Sequence, residues 1–251
     1  MEKSRDDAIL EARLRDAVRL AQSGGRPRFV GFLDERQAEQ ANKIMRSLCV
    51  ENYMLWGGHG GAERVVFGAF PDFLAPDAAA FPVAALTARY RRSDTLTHRD
   101  FLGALLSNGI ERETLGDILV EEGRCVLFAR SEISDFVITQ TEKVGRVGVA
   151  VTQGAQEPLP EERRFEEFSS VVASARLDCV VAAAIGTSRE KASELVRAGL
   201  VMLDHEANTS LSAPVSQGSK LSIRGKGRFV LDRIGPVTKK GRLSIAGRKY
   251  I

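Results

Sequence analysis

Two glycines, Gly186 and Gly199, bracket the segment that most constrains this fold. Upstream, Leu177, Val180, Val181, Ala184 and Ile185 recur at i, i+3, i+4, i+7 and i+8, which makes one apolar face of a short helix. Gly186 ends that helix at little cost, because glycine tolerates the left-handed backbone of a tight turn. Ser188 suits the N-cap of a second helix, and Gly199 sits where a C-terminal glycine belongs. On that second helix Ala192, Leu195 and Val196 point inward, while Arg189, Ser193 and Arg197 at i, i+4 and i+8 share a separate polar stripe. A short strand pattern and the basic run Lys220-Leu221-Ser222-Ile223-Arg224-Gly225-Lys226-Gly227-Arg228 close the segment.

Two guanidiniums on one stripe beside a helix N-terminus form a positive surface of phosphate size. A solvated helix face would carry arginines equally well, so the balance rests on charge. Residues 170–251 hold 14 Lys+Arg against 6 Asp+Glu, a net of +8, whereas the first 169 residues hold 22 against 27, a net of −5. The overall +3 therefore conceals a basic C-terminal third, as expected of a module that neutralises phosphates. The candidate RNA-binding residues are Arg176, Ser188, Arg189, Lys191, Ser193, Arg197, Arg224, Lys226 and Arg228. The whole arrangement resembles the RNA-binding domain named after ribosomal protein S4, also called the αL motif.

Composition bounds the other possibilities. A chain of 251 residues with 43% hydrophobic content can bury real cores and has room for two or three small domains. No apolar run approaches the roughly 20 residues that span a bilayer. The N-terminus reads as a charged helix and not as a signal peptide. Cys49, Cys125 and Cys179 are far apart and form no Cys-x-x-Cys pair, so reduced, mostly buried thiols in the cytoplasm are expected, with no metal site, disulfide framework or cofactor.

Punctuation divides the chain into an α+β protein of three parts. In residues 1–80, a helix over Asp6–Gln22, a strand over Arg28–Leu33, and a helix from the N-cap Asp34 with Gln37 three residues on precede strands at Tyr53–Trp56 and Arg64–Phe70. Residues 81–155 follow the order β-α-β-β-α-β, which predicts a ferredoxin-like or RNA-recognition architecture. Its elements are a strand over Ala84–Tyr90, a helix opened by Thr97 and Asp100, a hairpin of Gly116–Val120 with Cys125–Ala129, a helix over Ser131–Gln140 and a strand over Arg146–Thr152. Its central strands lack the clustered aromatics that stack bases, with only Phe128 in a plausible place. Residues 156–169, proline- and glutamate-rich, read as a linker into the basic domain, residues 170–251 with a basic tail.

Catalytic signals are weak throughout. Gly57-Gly58-His59-Gly60-Gly61 lacks the lysine and Ser/Thr of a phosphate loop and precedes a strand, so it reads as a mobile hairpin connection. His98 beside a helix start has no matching nucleophile. Arg176-Leu177-Asp178 is similar to the tripeptide that holds the catalytic aspartate of pseudouridine synthases, but inside a helical basic domain Asp178 is expected to cap or ion-pair locally. Asp117 has no partner acid or metal-ligand cluster nearby in sequence. An RNA-modifying enzyme, pseudouridine synthase- or methyltransferase-like, is the alternative to a non-catalytic binder; no glycine-rich cofactor fingerprint follows a strand, and the binder is preferred.

Three further stretches extend the resemblance: Gly61-Ala62-Glu63-Arg64-Val65-Val66-Phe67-Gly68, His98-Arg99-Asp100-Phe101-Leu102-Gly103-Ala104-Leu105-Leu106, and Gly109-Ile110-Glu111-Arg112 with Gly116-Asp117-Ile118-Leu119. With Lys239-Lys240-Gly241-Arg242 near the end, they are similar to the YlmH family of bacterial S4-domain proteins. That resemblance implies a cytoplasmic, monomeric, ribosome-associated protein that binds structured RNA (rRNA, tRNA) on the large subunit and acts in rescue of stalled translation. The family is also linked to cell division, and related sequences to photosystem biogenesis. The chain departs from the pattern at Asp204-His205-Glu206, where Asn-Gly is usual, and at Gly218-Ser219, both turn positions.

Overall fold

The computed structural model describes residues 5–160, 165–238 and 241–250. The chain divides into two compact units, Met1–Glu162 and Arg163–Ile251. No described helix is long and apolar enough to cross a membrane.

The first unit opens with α1 (Arg5–Gly24), whose Leu10, Leu14, Ala17, Val18 and Ala21 form the buried stripe that its periodicity predicts. Strand β1 (Arg28–Leu33) leads into α2 (Glu35–Ser47) through a reciprocal capping box: the Gln37 N–H donates to Asp34 at 2.8 Å, and the Asp34 N–H to the Gln37 side chain at 2.9 Å. Strands β2 (Tyr53–Trp56) and β3 (Val65–Ala69) complete an antiparallel sheet of order β1-β3-β2, with both helices packed on one face.

Next come β4 (Val83–Arg89), α3 (His98–Ser107), β5 (Leu115–Glu121), β6 (Arg124–Arg130), α4 (Ser134–Gln140), the two-residue strands β7 (Lys143–Val144) and β8 (Val147–Gly148), and β9 (Ala150–Gln153). Thr97 and Asp100 form the expected capping box of α3. The sheet order β5-β6-β4-β9, antiparallel throughout, is the ferredoxin-like arrangement, with β7–β8 as an added hairpin.

Alternation decides what each face of this sheet meets. Along β6, Cys125, Leu127 and Ala129 turn toward α3 and α4, whereas Val126 and Phe128 turn the other way. There they join Leu119 from β5 and pack against Phe32, Val66, Phe70 and Phe81. Residues 1–80 and 81–155, expected as separate domains, thus share an apolar layer and form one unit, because each sheet has a second apolar face that must leave water.

The second unit holds β10 (Phe165–Val172), α5 (Leu177–Ala184), α6 (Arg189–Arg197), β11 (Val201–Leu203), β12 (Glu206–Ala207), β13 (Lys220–Ile223), β14 (Gly227–Val237) and β15 (Leu243–Tyr250). They form a six-stranded sheet of order β10-β15-β14-β13-β11-β12, and α5 and α6 bury Leu177, Val180, Val181, Ala192 and Val196 in its core. Two expectations are corrected here. The end of the 156–169 linker is strand, because Phe165–Val172 pairs with β15 in unbroken register. The expected basic tail is a hairpin: β14 and β15 pair across a turn closed by Thr238 and Arg242, while Lys239 and Lys240 lie outside the described residues. The Asp204-His205 turn works without Asn-Gly, since both residues adopt positive φ (48° and 70°) and Asp204 accepts hydrogen bonds from the Lys220 N–H and the Ser219 hydroxyl.

Cys125 and Cys179 are buried and Cys49 is exposed, all as free thiols. Burial pushes the Cys125 thiol well above its ordinary value.

Candidate nucleic-acid interface

The centre of the basic surface is an acid. Asp178, in the first turn of α5, is 1% exposed and holds two arginines from different elements. Arg176, the N-cap residue of α5, donates from Nε to Asp178 Oδ1 at 3.2 Å, and Arg189, the first residue of α6, donates to Oδ2 at 2.8 Å. The Cys179 N–H adds a third bond to Oδ1 at 3.0 Å. The expected local pairing of Asp178 is thus observed, and it reaches further than its own helix. Two guanidiniums that would otherwise sample many rotamers are tethered side by side, each still about half exposed.

Burial alone would raise the Asp178 pKa, and the hydrogen bonds from Arg176 and Arg189 outweigh it, holding the group below the usual carboxylate range. A depressed carboxylate contributes stability above its unfolded pKa and loses it only as pH falls through the lower folded value. The clasp is therefore expected to persist from neutrality down to about pH 4. Equal circular-dichroism melting of the second unit, residues 163–251, at pH 7 and pH 5 checks this, whereas a large loss by pH 5 contradicts it.

The other candidates divide by what their side chains do. Lys191 and Arg197 are exposed on α6, and Arg224, Lys226 and Arg228 are exposed on the β13–β14 hairpin. The Arg224 N–H donates to the Leu200 carbonyl at 3.0 Å, which sets this hairpin beside the C-terminal end of α6. Two serines already have partners within the fold. Ser188 spends its hydroxyl accepting from the Lys191 N–H at 3.3 Å as the N-cap of α6. Ser193 is 8% exposed and its hydroxyl donates to the Arg189 carbonyl at 2.8 Å, so the stripe between Arg189 and Arg197 turns inward at its middle. One cation escaped the sequence reading. Lys249 on β15 joins Lys226, Gly186 and Phe229 around a cleft of about 470 Å³, where Glu166 of the same lining pairs with it at 3.6 Å, and no local motif marks it because β15 arrives from far along the chain.

A second polar cluster lies inside the first unit. A register shift between Leu115 and Ile118 places Asp117 in a bulge of β5, where it is 5% exposed. It accepts from the Glu63 N–H at 2.8 Å and the Arg64 N–H at 3.0 Å, and His59 Nε2 lies 3.0 Å away. The His59 ring stacks on Phe128 with centroids 4.6 Å apart. The glycine-rich loop expected to be mobile is therefore pinned. Gly58 has φ +101°, and a Cβ there would lie 2.5 Å from the Phe128 ring, so glycine is needed for the approach. Arg64 in turn donates to the carbonyls of Phe32, Leu115 and Arg112. Burial lowers the pKa of Arg64, and burial together with the neighbouring Arg64 lowers that of Arg112 to about 10. Every group in the cluster faces a protein partner, which marks it as a fastener of the two sheets. Among the described residues, no three His, Cys, Asp or Glu side chains group as metal ligands.

Comparison with known proteins bears on both units. Residues 76–157 match the family model described as "Putative RNA-binding domain in YlmH". The "Ribosome-associated protein quality control protein P2" of Bacillus subtilis (strain 168) is 31% identical over 226 residues, covering 89% of this chain and 88% of that one. The solved structure of the cell division protein ylmH from Streptococcus pneumoniae has a TM-score of 0.53 at 19% identity and covers 62% of this chain and 94% of its own, a likeness of fold. Identity of that order along nearly the whole of both chains, joined to a matching middle domain, makes the assignment plain: this protein belongs to the YlmH family.

Proposed function

We propose that this protein is a non-catalytic RNA-binding protein that works on the large ribosomal subunit, holding rRNA and tRNA during quality control of stalled translation. The observation that carries the reading is the Asp178 clasp. It tethers Arg176 and Arg189 with their guanidiniums half exposed, on a unit whose charge is strongly positive. Arginines ordered in advance lose less freedom on meeting a phosphate and can present paired donors to it. The name of the Bacillus subtilis relative and the description of the matching domain support the same reading. The protein acts in the cytoplasm as a monomer, by positioning RNA and not by altering it.

Two measurements test this together. Sedimentation of cell extracts is expected to place the protein with large subunits, and recovery only in the ribosome-free fractions contradicts the proposal. Mass spectrometry of rRNA and tRNA from cells with and without the gene is expected to show the same modified nucleotides. A modification that vanishes with the gene and returns on adding the purified protein would make it an enzyme.

A further inference from the structure

Helix α5 ends before the sheet beneath it does. It stops at Ala184, Gly186 turns the chain with φ +62°, and a cleft of about 470 Å³ remains between the helix end and the strands. A site of that size suits one small planar group and does not admit a duplex. Strand pairing sets out its floor. Glu166 on β10 stands opposite Lys249 on β15, which stands opposite Phe229 on β14, and alternation puts Phe168 on the same face as Glu166.

Phe168 is a half-buried aromatic whose position the backbone fixes. Its cross-strand partner is Gly247, where a Cβ would lie 2.8 Å from the ring and 2.3 Å from the Val230 carbonyl, so the ring rests directly on the strand. Phe229 meets it edge-on, with centroids 6.1 Å apart. Ile185, half-buried just past the end of α5, adds a second apolar wall.

The rim carries charges of both signs. Lys226 is exposed and not ion-paired among the described residues, whereas Lys249 lies 3.6 Å from Glu166. A phosphate gains little here, because the Glu166 carboxylate repels it and engages one of the two cations. An apolar slot with a carboxylate beside an ammonium is instead complementary to the edge of a base. Guanine has the matching edge: its adjacent imino and amino N–H groups donate to a carboxylate, and its carbonyl accepts from an ammonium. The other three RNA bases do not place two adjacent N–H donors beside a carbonyl. Bases splayed from single-stranded loops are held in this manner, stacked on aromatic rings and hydrogen-bonded along their edges.

We infer that the cleft takes one unpaired guanine of the bound RNA, with its ring against Phe168 and Ile185, its N–H edge on Glu166 and its carbonyl on Lys249. The inference rests on the RNA-binding reading above and adds a base contact to a surface otherwise made of phosphate contacts, which position RNA without reading it. The cleft is continuous with that surface in the chain. Gly186 leads through Ser188 into Arg189 of the clasp, and Lys226 lies between Arg224 and Arg228 on the β13–β14 hairpin.

The test uses the full chain with methyl-labelled isoleucine, Ile185 being the reporter and Ile185→Val its assignment. Guanosine monophosphate is expected to shift the Ile185 resonance at about tenfold lower concentration than the adenosine, cytidine or uridine monophosphate. Glu166→Gln alters an exposed pair and leaves melting as it was; it is expected to shrink that preference to about twofold and to weaken large-subunit rRNA binding about fivefold. No shift with any nucleotide, equal shifts with all four, or a preference unchanged in Glu166→Gln overturns the base site. If the wild-type chain still binds rRNA with a steep salt dependence, the wider reading then stands. A guanine preference lost in Glu166→Gln with rRNA affinity untouched would assign the cleft to a free guanine nucleotide and also overturn the RNA contact. Failure of the wild-type chain to bind rRNA overturns both readings.

Discussion

Replacing Asp117 with alanine is expected to destabilise the first unit by about 3–5 kcal/mol, the cost of removing one partner from a buried charged network. The change strands the Glu63 and Arg64 N–H groups and the His59 ring, all of which now face the carboxylate. It also removes the anion beside two partly buried guanidiniums, Arg64 and Arg112. For a unit of this size the loss corresponds to a fall in melting temperature of roughly 6–20 °C. Trp56 on β2, the single tryptophan and partly packed into the shared apolar layer, reports the transition. Asp117→Asn keeps one acceptor oxygen and is expected to lose less. A melting temperature for Asp117→Ala within about 2 °C of wild type would remove the fastener role assigned to this cluster.

The second large effect is on binding. Arg189→Ala/Arg197→Ala removes two cations from the proposed RNA surface. Arg197 projects from α6 into solvent, whereas Arg189→Ala also takes one of the two arginines from buried Asp178, so some loss of stability is expected beside the loss of binding and melting is measured alongside. Each phosphate contact contributes about −0.7 to −0.9 to the slope of log K against log salt, so the double variant should titrate with a slope shallower by about 1.4 to 1.8. Lost affinity with an unchanged slope would mean that the arginines act through shape or protein contacts instead.

Local chemistry was readable in this chain wherever both partners lie within one turn. The Asp34–Gln37 and Thr97–Asp100 boxes and the Ser188 cap all stand where spacing puts them. Ser193 shows the limit of periodicity: the helical stripe is real, but a hydroxyl four residues after a carbonyl bonds backward to it and leaves the surface. The first part of β10, residues 165–169, reads as linker because its acidic text suits solvent, and only pairing with β15, at the other end of the basic unit, makes it strand. The glycine-rich loop failed for the same reason. Its anchor, Asp117, lies 58 residues beyond His59, and nothing within the loop announces it. The shared apolar layer was hidden too, since β6 reads as a continuous apolar run and does not say which body covers each face.

Salt-titrated binding of the purified protein to large-subunit rRNA, with duplex DNA of equal length beside it, tests the central claim most directly. If about four to six phosphates are held by the clasped arginines and the neighbouring cations, log K should fall with log salt at a slope of roughly −3 to −5, and structured RNA should be preferred over DNA. Affinity that barely changes with salt, or equal affinity for the DNA duplex, would contradict it.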